Sequence, residues 1–380
     1  MNIEHLPDEP LWAAFRAQWR ADRPPRIVVH GGYGKGNLGD DTILEAILTR
    51  LRREWPDAAV AVISHGPAWV QATHGPGLAA YHFRSPGAWR AIAWADLYII
   101  GGGGIMNRIN AYSGLRRLRV LDPKGKYQFV AALLAHACGA RVALYCISTT
   151  SVPDPLTGRL ARLALGCADW VTVREPLSVQ VLRGLGVRRA LPITWDPAHE
   201  VAPAGPDRAR EILAAEGVRL DRPLVAIDFR YVVEPDIDNA ATVLEVARLA
   251  DALATEYNAR VLFVPFSRHP RAVVENDVCF AAEVQARLQR SQHMHVLSRP
   301  YAPAEVKGIL SLARVCIMER HHAVLYAAAV GVPVVGVIYD DKVAQYLDMR
   351  GLPAGIPLRQ FSAQRALQAV DALVPGLKER

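Results

Sequence analysis

Short runs of β-branched and other apolar residues alternate along the chain with glycine or polar turns and helical stretches. The first half predicts strands at Arg26–His30, Ala59–Ser64, Asp96–Ile100, Arg141–Ile147, Trp170–Arg174 and Leu191–Trp195. The second half predicts strands at Leu224–Asp228, Arg260–Pro265, Val315–Met318 and Val334–Ile338. Repeated strand–turn–helix units favour parallel sheets covered by helices on both faces. The pattern therefore predicts an α/β protein with two doubly wound parallel-sheet domains facing a cleft.

A segment rich in proline and glycine separates the two series of strands. It runs from His199 to Arg208, and we interpret it as an interdomain linker. The chain of 380 residues is long enough for two hydrophobic cores. We therefore predict domains at residues 1–200 and 208–380, and the last helix could pack back on the first domain.

The composition is that of a packed enzyme, with 51% hydrophobic and 21% charged residues. The N-terminus lacks the basic start and apolar stretch of a secretory signal. The longest apolar run, Val330–Tyr339, is shorter than the ~20 residues of a spanning helix. A cytoplasmic location follows as an expectation. The five cysteines form no CxxC pair and are predicted to be buried free thiols.

The net charge of +7 suits anionic substrates or an anionic membrane surface. No nucleic-acid module accompanies it, so a nucleic-acid partner is not expected. The densest basic cluster is either a solvated loop or an anion-binding loop, and consists of Arg116, Arg117, Arg119, Lys124 and Lys126.

A glycine-rich turn joins the first strand to the first long helix. Gly34, Gly36 and Gly39 have the GxGxxG spacing, in which backbone amides at a helix N-terminus can approach an anion. The second strand ends without the carboxylate of a dinucleotide site, and Lys35 is not followed by the Ser or Thr of a P-loop. We predict anion or sugar binding by Asn37, Gly39 and Asp40, with helix capping by Asp40 as the alternative.

Two further sites follow predicted strands, at the edge where open parallel sheets bind ligands. Gly101–Gly104 comes directly after Tyr98–Ile100, and Gly102 and Gly103 would let backbone lie against a ligand or form a tight turn. Arg320 and His322 follow Val315–Met318. Arginine offers a fork for phosphate or carboxylate, and histidine moves protons near neutral pH, although a structural histidine is the alternative.

The remaining strand-end candidates are less specific. Arg230 could be a second phosphate clamp, while Asp196 and Lys342 could equally form an ion pair or a cap. His321 points to another helix face than His322, so this pair is not expected to bind zinc, and no metal cluster is predicted. A GxSxG elbow is absent from the sequence, which gives hydrolase chemistry little support.

Five segments in order resemble the polysaccharide pyruvyl transferase family. They are Gly36–Asp41, Gly101–Gly104, Val173–Ser178 with Leu185–Val187, Asp196–Ala198, and Arg320–Ala323 followed by Gly331–Pro333 and Tyr339–Lys342. The resemblance implies a GT-B-like architecture of two Rossmann-like domains. It also implies transfer of a pyruvyl group from phosphoenolpyruvate to two sugar hydroxyls, giving a cyclic ketal and phosphate, with no cofactor.

The family's Arg-x-His-Ala motif corresponds to Arg320, His322 and Ala323. On this basis His322 is the expected general acid/base, Arg320 and Arg230 clamp phosphate and carboxylate, and Asn37 and Asp40 bind the acceptor. The remaining residues assigned to substrate binding are Gly39, Gly102, Gly103, Ser148, Asp196, His321 and Lys342. The chain departs from the family pattern at Glu175, at the Ser148–Ser151 turn and at His321, which bears on the acceptor more than on the chemistry.

Two other functions remain open from the sequence. A GT-B glycosyltransferase using a nucleotide sugar would have the same fold. A non-catalytic carbohydrate-binding protein would not need the pairing of Arg320 with His322. The expected partners are phosphoenolpyruvate and a sugar acceptor, and a lipid-linked acceptor would bring the protein to the inner face of the cytoplasmic membrane.

Overall fold

A computed structural model describes residues 9–19, 22–106, 123–152, 154–270 and 272–378. The chain divides into two compact units. The first comprises Met1–Lys35 and Asp40–Glu200, and the second comprises Gly36–Gly39 and Val201–Arg380. The four-residue Gly36–Gly39 segment thus belongs to the second unit although it lies early in the sequence. Among the described residues, no helix has the length and apolar character needed to cross a membrane.

The described part of the first unit is a parallel six-stranded sheet with helices between its strands. The strands are β1 (Arg26–His30), β2 (Ala59–Ser64), β3 (Ala79–His82), β4 (Leu97–Met106), β5 (Arg141–Thr149) and β6 (Trp170–Val173). The helices are α1 (Glu9–Gln18), α2 (Leu38–Glu54), α3 (Pro67–His74), α4 (Pro86–Trp94), α5 (Pro123–Ala137), α6 (Pro155–Cys167) and α7 (Pro176–Gly184). The strand order β3-β2-β1-β4-β5-β6 reverses between β1 and β4, which is where such sheets bind ligands.

The second unit repeats this topology in the order β12-β11-β10-β7-β8-β9. Its strands are β7 (Leu224–Asp228), β8 (Arg260–Phe263), β9 (Met294–Val296), β10 (Val315–Met318), β11 (Val334–Ile338) and β12 (Ile356–Pro357). Its helices are α8 (Pro206–Ala215), α9 (Asn239–Thr255), α10 (Asp277–Gln285), α11 (Pro303–Ser311), α12 (His321–Ala329), α13 (Asp341–Met349) and α14 (Ala363–Leu373). The last helix, α14, packs within this unit against α9 and β11.

Each sheet is buried because its strands are apolar on both faces. Val28, Ile63 and Leu144 are fully buried in the first unit, as are Val225 and Ile317 in the second. Such continuous apolar strands are expected when helices cover both faces of a parallel sheet. The helices begin where the sequence supplies a cap. Asp154 accepts hydrogen bonds from the amides of Leu156 and Thr157, for example.

The predicted α/β class with two doubly wound parallel sheets is confirmed. Five predicted strands have the predicted bounds, namely β1, β2, β7, β10 and β11. The short strands β3, β9 and β12 were not predicted, because two to four residues give little periodicity. The predicted strand Leu191–Trp195 is wrong. Within it Ile193 forms a single bridge to Val173.

Other predictions need correction. Gly101–Gly104 is not a loop after β4 but part of that strand, paired with β5. Pro206–Arg208, predicted as linker, forms the first turn of α8. Cys138 is exposed, Cys167 and Cys279 are half-buried, and all five cysteines are free. Of the basic cluster, Arg116, Arg117, Arg119 and the side chain of Lys124 lie outside the described residues, and Lys126 Nζ pairs with Asp154 Oδ2 at 3.1 Å.

Candidate functional site

The Gly36–Gly39 segment lies against the chain that follows β8. The Leu38 amide donates to the Phe266 carbonyl at 2.9 Å, and the Arg268 amide donates to the Gly36 carbonyl at 2.9 Å. Asn37 forms an antiparallel bridge with Ser267. Asn37 Oδ1 accepts a hydrogen bond from the Gly39 amide at 3.1 Å, so this predicted binding residue caps the start of α2. The segment is therefore fixed to the second unit by backbone hydrogen bonds.

Gly39 lies directly against the imidazole of His322. A Cβ atom added at Gly39 would overlap Nδ1, Cγ and Cε1 of that ring. Any side chain at this position would therefore displace the ring, which explains why glycine is needed there. His322 is half-buried in the first turn of α12. The structure thus places two predicted site residues, Gly39 and His322, in contact.

Arg320 is buried and bound to an aspartate that was not predicted. Its Nε and Nη2 donate to the two carboxylate oxygens of Asp277 at 2.7 and 2.6 Å. The amides of Phe266 and Ser267 also donate to Asp277, at 3.0 and 2.8 Å. Burial alone would lower the pKa of Arg320, but the charge and hydrogen bonds of Asp277 raise it above the ordinary value. This guanidinium therefore stays charged and is held in one orientation.

Two buried carboxyl groups lie beside the arginines, at the ends of neighbouring strands. Asp228 Oδ2 accepts from the Arg320 amide at 2.8 Å, and Glu319 Oε2 accepts from the Arg230 amide at 3.2 Å. Burial raises the pKa of Asp228 to about 7, and Asp277 adds to that rise. Burial likewise raises the pKa of Glu319 to about 8, against the attraction of Arg230. Neutral pH therefore lies close to the titration of both carboxyls.

Arg230 and Lys342 lie on the ring of one tyrosine. The guanidinium carbon of Arg230 is 5.6 Å from the ring centroid of Tyr339, and Lys342 Nζ is 5.4 Å from it. Arg230 Nε also donates to the carbonyl of Tyr231 at 3.1 Å. Lys342 Nζ pairs with Asp340 at 3.2 Å, so this lysine forms the ion pair that was the alternative to substrate binding. The two cations are thus half-buried and placed by an aromatic face.

His321, assigned to substrate binding from the sequence, is a buried residue. Its ring packs edge-on against Tyr346 of α13, with centroids 5.4 Å apart, and against His322, with centroids 5.3 Å apart. Only 6% of it is exposed, which leaves little surface for a substrate. His321 therefore supports His322 by packing.

A second group of predicted residues lies at the β1–β4 switch point of the first unit. Gly102 and Gly103 have φ angles of +46° and +78°, which disrupt β4 without breaking its pairing with β5. Asp40 lies beside Gly103, because a Cβ at Gly103 would come within 2.9 Å of Asp40 Oδ1. Asp41 accepts from the Gly34 amide and from Trp69 Nε1 at 3.2 and 2.9 Å, and burial raises its pKa to about 6.

Ser148 and Asp196 are buried and bonded in the interior of the first unit. Ser148 lies inside β5, opposite Gly104, and not in a turn. Asp196 Oδ2 accepts from Arg174 Nη1 at 2.5 Å, and its Oδ1 accepts from the Ala198 amide at 2.9 Å. Arg174 Nε also donates to Glu175 at 3.1 Å. Asp196 therefore has the ion-pair role that was its alternative, with Arg174 as the partner.

A model of the polysaccharide pyruvyl transferase family matches residues 37–341, most of the chain. The chain belongs to this family. It is accordingly a transferase that modifies polysaccharides. The comparison with curated proteins found no match.

Solved structures similar to this chain share its fold. The ADP-heptose lipopolysaccharide heptosyltransferase II of E. coli is 14% identical, with 92% of this chain and 98% of that chain covered and a TM-score of 0.51. The UDP-GlcNAc 2-epimerase of Neisseria meningitidis, bound to UDP-GlcNAc, is 12% identical. The match covers 93% of this chain and 92% of the epimerase, with a TM-score of 0.56. The wall teichoic acid polymerase TagF is 13% identical. The match covers 94% of this chain and 82% of the polymerase, with a TM-score of 0.55. These likenesses support a GT-B-type pair of Rossmann-like domains.

Two candidate site residues, Glu319 and Asp277, were not predicted from the sequence. Glu319 is a charged residue directly after an apolar strand and next to Arg320, which was the available signal. Asp277 follows Asn276 at the start of α10 and reads as an ordinary helix-capping pair. Its contact with Arg320 arises from tertiary packing over 43 residues. Among the described residues, no cluster of three His, Cys, Asp or Glu side chains could hold a metal ion.

Proposed function

We propose that this transferase moves a pyruvyl group from phosphoenolpyruvate to two hydroxyls of a sugar, forming a ketal and releasing phosphate. The observation that carries the proposal is the grouping in the second unit of Arg230, Arg320 and His322 beside the Gly36–Gly39 segment. The family supports a sugar acceptor. The acceptor would be a polysaccharide, an oligosaccharide or a lipid-linked precursor.

The donor carries a phosphate and a carboxylate, and the second unit offers cations for both. Arg230 and Lys342 are half-buried on the Tyr339 ring and would bind the phosphate. Arg320 uses two donors on Asp277 and therefore contributes a fixed positive charge more than a free fork. In this proposal Arg320 positions the strand end and stabilises the anion through its charge.

His322 would move the protons of the reaction. The imidazolium delivers a proton to the methylene carbon of the donor, which becomes the methyl group and leaves a cationic carbon. A sugar hydroxyl adds to that carbon and loses its proton to the imidazole. The bond from this carbon to the phosphate oxygen then breaks, and the second hydroxyl adds and loses its proton to the departing phosphate. A positioned acid or base of this kind contributes about 10²–10⁴-fold.

The first unit would bind the acceptor. Asp40 provides a carboxylate beside the backbone of Gly103, and carboxylates commonly accept hydrogen bonds from sugar hydroxyls. The proximity of Asp40 to Gly103 supports binding of the acceptor by Asp40 and the backbone of Gly102 and Gly103. A cytoplasmic location, with a lipid-linked acceptor at the inner membrane face, is part of the same proposal.

The test measures phosphate release from phosphoenolpyruvate across a panel of sugar acceptors. Wild type should release phosphate only with its acceptor, and mass spectrometry should detect the ketal. His322→Gln should lower the rate about 10²–10⁴-fold, and Arg230→Gln should raise KM for the donor. His136→Gln, an exposed histidine of α5, is the matched control and should behave as wild type.

Three results would count against the proposal. An active His322→Gln variant would remove the acid/base assignment. Absence of release with every acceptor, together with no binding of phosphoenolpyruvate to the folded protein, would reject phosphoenolpyruvate as the donor. Binding of a nucleotide sugar, without binding of phosphoenolpyruvate, would favour glycosyl transfer instead.

A further inference from the structure

Asp228 and Glu319 form a buried carboxyl pair at the ends of two neighbouring strands. Met318 is in register with Asp228 in the β10–β7 pairing, and Glu319 follows Met318. The Glu319 amide donates to the Asp228 carbonyl at 3.0 Å, which extends the ladder by one bond. Both residues are fully buried. The strand pairing therefore forces the two carboxyl groups into the interior next to each other.

Each carboxyl of the pair uses only one of its oxygens. Asp228 Oδ2 and Glu319 Oε2 accept backbone amides, while Asp228 Oδ1 and Glu319 Oε1 accept no hydrogen bond within the described residues. A buried carboxylate normally has its oxygens hydrogen-bonded, because leaving one unsatisfied in the interior is unfavourable. A protonated carboxyl avoids part of this cost. The geometry thus favours a proton on the pair, in keeping with the raised pKa of Glu319.

The charges around Glu319 link the protonation of its carboxyl to the binding of an anion. Arg230 and Arg320 attract its carboxylate, and Asp228 repels it. Charged or titratable groups on the neighbouring elements include Asp277 on α10, His321 and His322 on α12, and Tyr339, Asp340, Asp341 and Lys342 at the end of β11 and the start of α13. Arg230 is half-buried and, in the proposed function, also meets the phosphate. An ionised Glu319 and a bound oxyanion would therefore compete for the same arginine.

We propose that Glu319 is a positioning residue that holds Arg230 through its backbone amide and takes up a proton when an oxyanion binds beside that arginine. The inference rests on the proposed function only in taking the oxyanion to be the donor phosphate. Glu319 holds the strand end in either protonation state, but only its neutral form leaves the charge of Arg230 to the ligand. Binding is then linked to the proton, and affinity falls as pH rises through the titration of Glu319.

The experiment is titration calorimetry with inorganic phosphate as the probe, in two buffers of different ionisation enthalpy. Near pH 8.5 inorganic phosphate is present as the dianion. With the pKa of free Glu319 at about 8, wild type should take up roughly 0.7 proton per phosphate. The Kd should weaken about fivefold between pH 8 and pH 9, where phosphate stays a dianion.

Glu319→Gln should abolish the proton uptake and leave the Kd independent of pH over the same range. The matched control is Glu211→Gln on α8, whose carboxyl is 67% exposed and pairs with Arg208, and it should keep both effects. His322→Gln should also keep the uptake near pH 8.5. Thermal unfolding checks that each variant is folded, and the comparison uses Kd at each pH for the same variant.

Four outcomes would overturn the inference. These are phosphate binding without proton uptake in wild type, uptake that persists in Glu319→Gln, uptake that disappears in His322→Gln, and failure of wild type to bind phosphate. A fifth outcome separates the two proposals. If phosphate binds with proton uptake through Glu319 but phosphoenolpyruvate is not a donor, the proposed function fails and the linkage stands.

Discussion

The two units have the same strand topology, yet they treat charge at their strand ends differently. In the first unit Arg174, Glu175 and Asp196 are buried and bonded to one another. Ser178 donates to Glu175 and accepts from the Thr149 amide, so the network continues into β5. In the second unit Asp228 and Glu319 are equally buried but keep one oxygen each without a hydrogen bond from the described residues.

This difference indicates which unit carries the chemistry. A closed network of paired charges holds neighbouring strand ends together and has no spare valence for a ligand. Carboxyls with unsatisfied oxygens and raised pKa values, next to arginines, are typical of functional sites. The first unit also offers the backbone of Gly102 and Gly103, which suits neutral hydroxyls. We therefore predict a stabilising role for Arg174, and the proposed proton and anion chemistry would lie in the second unit.

Breaking the closed network tests the first half of this comparison. Arg174→Met leaves Glu175 and Asp196 buried without their cation. We expect the free energy of unfolding to fall by about 3–5 kcal/mol, measured by urea denaturation, because removing one partner of a buried pair strands the other charge. Activity per folded molecule should change little.

The control for this network is an ion pair at the surface of the same unit. Arg141 pairs with Asp169 and is 52% exposed, so Arg141→Met should destabilise far less. One result would contradict a purely structural role for the Arg174 network. If Arg174→Met were as stable as wild type but could not transfer pyruvyl groups, the network would belong to the chemistry.

Displacing His322 without replacing it tests the proposed proton chemistry of the second unit. In Gly39→Ala the new methyl group would overlap the imidazole. The ring must shift, and a displacement of about 1 Å of a catalytic group costs about 10²-fold in rate. We therefore expect kcat/KM for phosphate release to fall about 10²-fold, with a loss of stability of about 1–3 kcal/mol from overpacking.

Gly184→Ala is the matched glycine control, because an added Cβ there meets no atom within 4 Å. It should keep wild-type activity and gain or lose little stability. Wild-type rates in Gly39→Ala would mean that the imidazole position is not critical, and the acid/base role would then pass to another group.

The fold could be predicted well from the sequence because its signals are local. The apolar runs of β1, β7 and β10 fix strand type and bounds, and glycine or proline marks the turns between them. Gly101–Gly104 was not predicted as part of β4, because four glycines usually break a strand. Here Gly101, Gly103 and Gly104 still pair with β5, while left-handed φ angles at Gly102 and Gly103 absorb the irregularity.

The candidate site could be predicted only as far as single residues go. Arg320 and His322 were found from their place after a strand, but the partners of Arg320 and Asp196 were not. Asp277 and Arg174 lie 43 and 22 residues from these partners in sequence, and neither carries a local signal. The raised pKa of Glu319 depends on burial, which only the packed sheet creates.

The smallest expected effect concerns the aromatic face in the second unit. Tyr339→Leu removes the ring on which Arg230 and Lys342 lie, while Tyr339→Phe keeps it. Cation–π contacts at such partly exposed positions contribute about 0.5–1 kcal/mol each, so loss of both should raise KM for the donor about 5–30-fold in Tyr339→Leu. In Tyr339→Phe it should stay near wild type, since the phenyl ring still provides the face. Because the ring orders the cations and takes no part in proton transfer, kcat should change little in either variant.

An equal rise in KM in both variants would assign the effect to the hydroxyl of Tyr339. A fall in kcat with KM unchanged would show that this ring does not act in donor binding.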